Sequence, residues 1–500
     1  MSIQLSGQQF IDGNWIAGQG QEWSSHDPFR SETVWKGRWS DVDQVRQALA
    51  AARRAFPAWS MLELDARESI ARNFAKILQD NRAPFAELIA RETGKPLWEA
   101  DTEVATAIGK VQNSVDALRS RRWTTTEGTA DQVTVTRYRP LGVMTVLGPF
   151  NLPAHLPGAH IVPALLAGNT VVFKPSEKSP AVGEFLTQAW QRAGLPAGVL
   201  NLILGTAKIA QAAAMDELCD GVLFTGSFRV GQALHRALAG CPEKMLALEM
   251  GGNNALVIDQ ISNIDAAVYQ IILSAYITSG QRCTCARRLI VVESGNGQAV
   301  VDRLASVLAT IRVGDPLGQP QPFLGTLISE AAAKDVLAGQ QKLLETGGRA
   351  IHLAKHLTDH PAALTPGLVE AGGNVVDDCE LFGPLLIVQR AGDLQSAVQL
   401  ANQTRYGLSA GLISDRRDSW EYFVSHINAG IVNWNRQTTG ASGRLPFGGV
   451  GASGNHRPSG FFAADYCSFP VASMESGKVD LPKAAQVGLE DVIAQLDGDK

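Results

Sequence analysis

An α/β fold built around parallel sheet follows from three observations on this 500-residue chain. From Gly142 onward, short unbroken apolar strands alternate with helical patterns, as in a parallel sheet covered on both faces. The length exceeds what one hydrophobic core sustains, so two or three domains are expected. One segment, Gln132 to Pro140, instead alternates polar and apolar residues and reads as a half-exposed strand set apart from the rest.

In chain order, residues 41–120 read as helices. Val45, Leu49, Ala52 and Phe56, then Ile70, Phe74, Ile77 and Leu78, recur at helical spacing. Gly94-Lys95-Pro96 interrupts them. The alternating strand at 132–140 fits either subunit assembly or an ordinary edge hairpin. Strands then follow at 143–147, 170–173, 199–203 and 221–224, each leading into a helix. Near Met245 to Glu249 the chain leaves this unit, and a second α/β region runs to about Asn435. Within it, 266–275 reads as a largely buried helix and 288–292 as a buried strand.

Composition excludes several classes. With 45% hydrophobic and 19% charged residues, the chain reads as globular, and a net charge of −5 suggests no nucleic-acid partner. No apolar run is long enough to span a bilayer, and Met1 to Gly7 lacks the features of a signal peptide. Six cysteines in a chain of this length do not form a disulfide framework. A reducing cytoplasm is the expected compartment. Cys283 and Cys285 lack a second ligand cluster at zinc spacing, so no metal is expected.

Ligands of parallel sheets bind beyond the carboxyl ends of the strands, so the turns there carry the interest. After Leu147, Gly148-Pro149-Phe150-Asn151 offers a rigid amide donor suited to an oxyanion, or a turn asparagine bonding its own backbone. After Phe173, Lys174 and Glu177 are able to grip a ribose, or lie in a solvated loop. Gly226-Ser227-Phe228-Arg229-Val230-Gly231 opens a helix where a pyrophosphate could approach, although it lacks the third glycine of the usual dinucleotide fingerprint. Glu249 ends an apolar strand, where burial would raise its pKa and make it a base near neutrality. Glu380 and Phe382 occupy a tight turn. Cys283, in Gly280-Gln281-Arg282-Cys283, is a candidate nucleophile with Arg282 as the adjacent cation; taken alone, it reads rather as a small buried hydrophobe, the commonest fate of a free cysteine.

Taken in order, Phe150-Asn151-Leu152-Pro153, Lys174-Pro175-Ser176-Glu177, Gly226 to Gly231, Glu249-Met250-Gly251-Gly252, Gly280-Gln281-Arg282-Cys283 and Glu380-Leu381-Phe382-Gly383-Pro384 resemble the aldehyde dehydrogenase superfamily along nearly the whole chain. The resemblance implies a cofactor domain over 1–128 and 144–251, a catalytic domain over 252–440, and a small oligomerisation element from 129–143 and 462–485. It implies Cys283 as the nucleophile, Asn151 and the Cys283 N–H as oxyanion donors, and Glu249 as the base for thioester hydrolysis. Lys174 and Glu177 would hold the adenosine ribose, Gly226 to Gly231 the pyrophosphate region, and Glu380 with Phe382 the nicotinamide ribose. NAD is expected over NADP, because Glu177 would repel a 2′-phosphate.

Two departures from the general pattern, Cys285 and Ser453-Gly454-Asn455-His456-Arg457-Pro458, are similar to the branch that oxidises succinylated glutamate semialdehyde in arginine catabolism. Such a substrate carries carboxylates and calls for cations; Arg282, Arg436, Arg444, His456 and Arg457 are candidates, and the alternating strand implies a homodimer or homotetramer. With Cys283 among such relatives, Arg282 reads as a substrate contact rather than as activator of the thiol. Another semialdehyde or aliphatic aldehyde, or cofactor-free esterase chemistry at Cys283, are the alternative activities.

Overall fold

Alternation of side chains across each strand decides how the two main sheets are covered. In Val143–Leu147, Val143 and Leu147 join one hydrophobic cluster while Met144 and Val146 join another. That is the two-residue period of a strand. Each such strand is apolar on both sides, and helices must pack on both faces. The computed structural model describes residues 3–129, 132–373, 377–482 and 484–498, the side chains of 497 and 498 excepted.

The first seven-stranded sheet runs in space Met245–Met250, Gly221–Gly226, Val143–Leu147, Thr170–Lys174, Leu200–Leu202, Gln9–Ile11, Asn14–Ile16. Its first five strands are parallel, and the N-terminal hairpin extends it antiparallel. The chain winds outward from Val143–Leu147 and then returns to its other side for Gly221–Gly226. That reversal opens a crevice beyond the carboxyl ends of these two strands.

A second seven-stranded sheet runs Arg349–His352, Gly367–Glu370, Leu385–Ala391, Ala286–Val292, Asn254–Ile258, Ser409–Ile413, Ile431–Trp434. All but the first strand are parallel. Leu289 and Val291 face one cluster, Ile290 and Val292 the other. Burying each such side chain contributes roughly 1.5–3 kcal/mol.

Four helices, Val42–Ser60, Leu64–Asp80, Arg82–Thr93 and Leu97–Arg121, occupy the region read as helical. Asp41 starts the first with a capping box to Gln44. Gly94 ends the third at φ 77°, a left-handed cap that glycine adopts without strain. Among the described residues, no helix is long and apolar enough to cross a membrane.

The structure departs from the sequence reading in three places. The strand Gln132–Pro140 is neither isolated nor at an edge; it is the middle of a three-stranded antiparallel sheet between Thr125–Thr129 and Ser468–Glu475. That small sheet therefore takes in residues 125–128, which the expected boundary left in the cofactor unit; positions 130–131 and 483 of the expected oligomerisation element lie outside the described residues. The helix Ile264–Ala275 buries Ala267, Val268, Ile271, Ser274 and Ala275 but leaves Tyr269 60% exposed. It covers one face of the second sheet, so its opposite side meets water.

Candidate active site

The loop that carries Cys283 is shaped by its backbone. Between the helix Ile264–Ala275 and the strand Ala286–Val292, a short 3-10 turn at Ile277–Gly280 holds Thr278 and Ser279 at φ 56° and 51°. Gly280 follows at φ +72°, where a Cβ would sit 2.0 Å from the Gly383 carbonyl oxygen, so a larger residue is excluded. Asn254 donates to the carbonyls of Cys283 (2.7 Å) and Cys285 (2.8 Å). The buried Arg287 donates to those of Gly280 (2.6 Å) and Arg282 (2.9 Å). These bonds fix the strand end on which Cys283 stands half-buried, while Cys285 is fully buried.

Asn151 faces this loop from the first sheet. Its amide donates to the Gln281 carbonyl at 2.9 Å, which leaves the second N–H of the group for another acceptor. Its own carbonyl accepts from Lys95 at 2.5 Å. Lys95 is paired with Glu103 at 2.5 Å, both side chains almost wholly buried. Glu103 in turn accepts from the N–H groups of Ala154 and His155, capping the helix His155–Leu166. Among the described residues, the Cys283 N–H has no acceptor.

Glu249, at the end of Met245–Met250, is 4% exposed. One carboxylate oxygen accepts from the Ser459 N–H at 3.1 Å; the other is buried without a partner. Burial pushes this carboxyl up to about 8, with Ser459 opposing the rise. Burial likewise pushes the Cys283 thiol up to about 12, Glu380, Glu249 and Cys285 adding to the rise and Arg287 opposing it.

A cavity of about 580 Å3 in the crevice joins Asn151, Glu249 and Cys283 to Lys174, Glu177, Glu380 and Phe382. Lys174 is buried and 3.8 Å from the part-exposed Glu177, and burial lowers its ammonium to about 8. Gly226, Ser227, Arg229 and Val230 line the same cavity, where Ser227 caps the helix Phe228–Ala237 by accepting from the Val230 N–H. Glu380 accepts from the Gly252 N–H at 3.2 Å and faces Arg287 at 3.8 Å. Burial raises it to about 6, with Arg287 opposing. The Arg287 guanidinium also lies 5.4 Å over the Phe382 ring.

These residues fit a dinucleotide. A helix N-terminus opens onto the cavity for a pyrophosphate, carboxylates stand at two places for ribose hydroxyls, and a Cβ at Gly251 would meet the Glu380 carboxylate at 1.8 Å.

Two residues of the expected cofactor loop stand outside the cavity lining. Phe228 turns away to meet Tyr406 edge-on at 5.9 Å with Arg405 over its face. Gly231 is buried where a Cβ would lie 2.3 Å from the Met250 sulfur, so it serves the packing of helix on strand. Arg282 is a further correction. It pairs with the buried Glu99 at 2.6 Å and bonds Thr278, anchoring the Cys283 loop to the helix Leu97–Arg121. Its Nε and Nη2 are thus engaged in holding the loop, and it is not among the leading charges that shift the Cys283 thiol. The Lys95–Glu103 pair was not read as part of the site; its signal was a charged residue inside the break Gly94-Lys95-Pro96, eight positions before an acid on the next helix.

The fold and this cavity define a dehydrogenase, and a model of the aldehyde dehydrogenase family matches residues 15–469, so the chain belongs to that family. It is an oxidoreductase using a nicotinamide dinucleotide. Its sequence is 51% identical, over 96% of this chain and 99% of theirs, to N-succinylglutamate 5-semialdehyde dehydrogenases of two Vibrio cholerae serotype O1 strains. Among solved structures, an E. coli NADP-dependent enzyme superposes with a TM-score of 0.89 at 28% identity, covering 94% of this chain and 98% of that one. An indole-3-acetaldehyde dehydrogenase complexed with NAD+ gives 0.90 at 27%, covering 95% and 97%.

Removing the Lys95 ammonium should leave Glu103 buried without a countercharge and loosen the Asn151 turn. Lys95→Met is expected to cost about 3–5 kcal/mol of stability, read as a lower urea midpoint. An unchanged midpoint would mean that Glu103 is satisfied without it.

Proposed function

We propose that this enzyme oxidises N-succinyl-L-glutamate 5-semialdehyde to N-succinyl-L-glutamate with NAD in the catabolism of arginine, through covalent capture at Cys283. The observation that carries the chemistry is the convergence of Cys283, Asn151 and Glu249 on one cavity. The substrate rests on the 51% identity to the Vibrio cholerae enzymes of that name.

Sulfur adds to the aldehyde carbon, and the thiol proton passes to water in the cavity. The new oxyanion accepts from the free N–H of the Asn151 amide and from the Cys283 N–H. NAD, when bound, supplies the hydride acceptor that turns this thiohemiacetal into a thioester. Lys174 and Glu177 would hold the adenosine ribose, Gly226, Ser227, Arg229 and Val230 would border the pyrophosphate, and Glu380 with Phe382 would steady the nicotinamide end. The Glu177 carboxylate accepts from a ribose 2′-hydroxyl and repels a 2′-phosphate, which favours NAD over NADP.

Glu249 then takes a proton from water as that water attacks the thioester, releasing the acid and the Cys283 thiol. With its pKa raised to about 8, Glu249 is mostly protonated below that pH and a ready base above it. The free cysteines are consistent with a reducing cytoplasm. The strand Ser468–Glu475 exposes Phe469 (62%) and Met474 (74%), which supports assembly of a homodimer or homotetramer through the small sheet.

A panel of aldehydes with NAD and NADP, followed by cofactor reduction, should give the highest kcat/KM with succinylglutamate semialdehyde and NAD. A clear preference for unsuccinylated glutamate semialdehyde or an aliphatic aldehyde would replace the substrate. Cys283→Ala should abolish reduction of the cofactor. Glu249→Gln should give a burst of one equivalent and then stall. The wild-type hydrolysis limb should rise with pH toward about 8; a flat profile would remove Glu249 from that role. Phe469→Asp is expected to shift sedimentation toward smaller species, and an unaltered mass would place assembly elsewhere.

A further inference from the structure

The helix Leu97–Arg121 packs on His155–Leu166, and its inner face carries a row of charged groups: Glu99, Glu103 and Lys110. Glu99 is matched by Arg282 and Glu103 by Lys95. Lys110 is 3% exposed, and its ammonium has no hydrogen-bond or ion-pair partner among the described residues. A buried cation without a counterion is costly, and burial lowers this one to about 8 with no carboxylate to raise it. It is nonetheless the protonated form that predominates at neutral pH.

A second buried polar atom in the same place also lacks a partner. His155 Nδ1 makes no bond, and the charges of Lys110, Arg282 and Lys95 all bear on this imidazole, which burial and those charges hold neutral. Arg282 and Lys95 are neutralised by their own carboxylates, so Lys110 leaves one uncompensated positive charge beside His155. His160, the other histidine on which Lys110 bears, has both ring nitrogens engaged, with Tyr466 and Thr225 at 2.9 Å each.

The position matters for the reaction. His155 opens the helix that follows the Asn151 turn, and its neighbour Leu156 lines the cavity that holds Cys283. One turn beyond Lys110, Asn113 lies against Gly443, so the chain at Gly443 runs beside this part of the helix. A cation and an unpartnered imidazole nitrogen on two packed helices, one of which supplies Leu156 to the cavity wall, match a ligand that brings its own carboxylate.

We propose that Lys110, with His155 Nδ1 as a second contact, receives a carboxylate of the semialdehyde and sets the preference for an anionic substrate. The assignment rests on the substrate reading above. Lys110 is a residue of substrate selection, and charge-assisted bonds of this kind are the strong ones.

The test measures kcat and KM for succinylglutamate semialdehyde and for propanal, with wild type, Lys110→Met and Lys110→Arg. Lys110→Met should raise KM for the succinylated aldehyde and lower its kcat/KM relative to propanal by about tenfold or more. Lys110→Arg should recover part of that ratio, since it restores charge without restoring shape. A ratio unchanged in Lys110→Met overturns the proposal, as does an equal loss on both aldehydes in both variants, which would assign Lys110 to folding. Wild-type enzyme that oxidises propanal but not succinylglutamate semialdehyde overturns the substrate reading itself, and the carboxylate assignment falls with it.

Discussion

One buried ammonium organises the entrance to the chemistry. Lys95 bonds the Asn151 carbonyl and the Glu103 carboxylate at 2.5 Å each, and Glu103 caps the helix that begins at His155. The turn carrying Asn151 is thereby tied to a helix from another part of the chain. A buried pair of this kind adds little net stability over an apolar equivalent. Its value lies in direction: Asn151 must present one amide hydrogen to Gln281 and keep the other available.

The same helix, Leu97–Arg121, holds the opposite side of the site. Glu99 accepts from the Thr278 N–H and pairs with Arg282, and in this way steadies the left-handed residues that precede Cys283. Asn151 and Cys283 belong to different sheets, and a single helix reaches both. Burial then controls reactivity. Desolvation holds both the Cys283 thiol and the Glu249 carboxyl in their neutral forms. Two adjacent anions would repel, and a low-dielectric site cannot keep both ionised. The geometry suits a reaction in which thiolate attack and water activation occur in separate steps.

Much of this was legible in the chain itself. The strand ends at Leu147, Phe224 and Glu249 could be placed because apolar runs of strand length bounded by glycine and proline have few other interpretations. The ordered motifs around Asn151, Glu249 and Cys283 pointed to one chemistry although each alone was ambiguous. Less legible was the use of each charge. Arg282 looked like a free cation because its neighbours in sequence are uncharged, whereas its partner Glu99 lies 183 positions away. Phe228 and Gly231 sat inside a plausible binding loop, yet helical periodicity turns Phe228 toward Tyr406 and Gly231 toward Met250.

The sequence by itself determined the parallel-sheet architecture and the order of the loops, because strand burial and turn chemistry are local properties read over a few residues. Tertiary structure alone decided which ions are spent on one another and which remain over. Lys95 and Arg282 meet carboxylates and are neutralised, while Lys110 does not. Pairing depends on distances of a few ångströms between helix and loop, and no spacing along the chain encodes them.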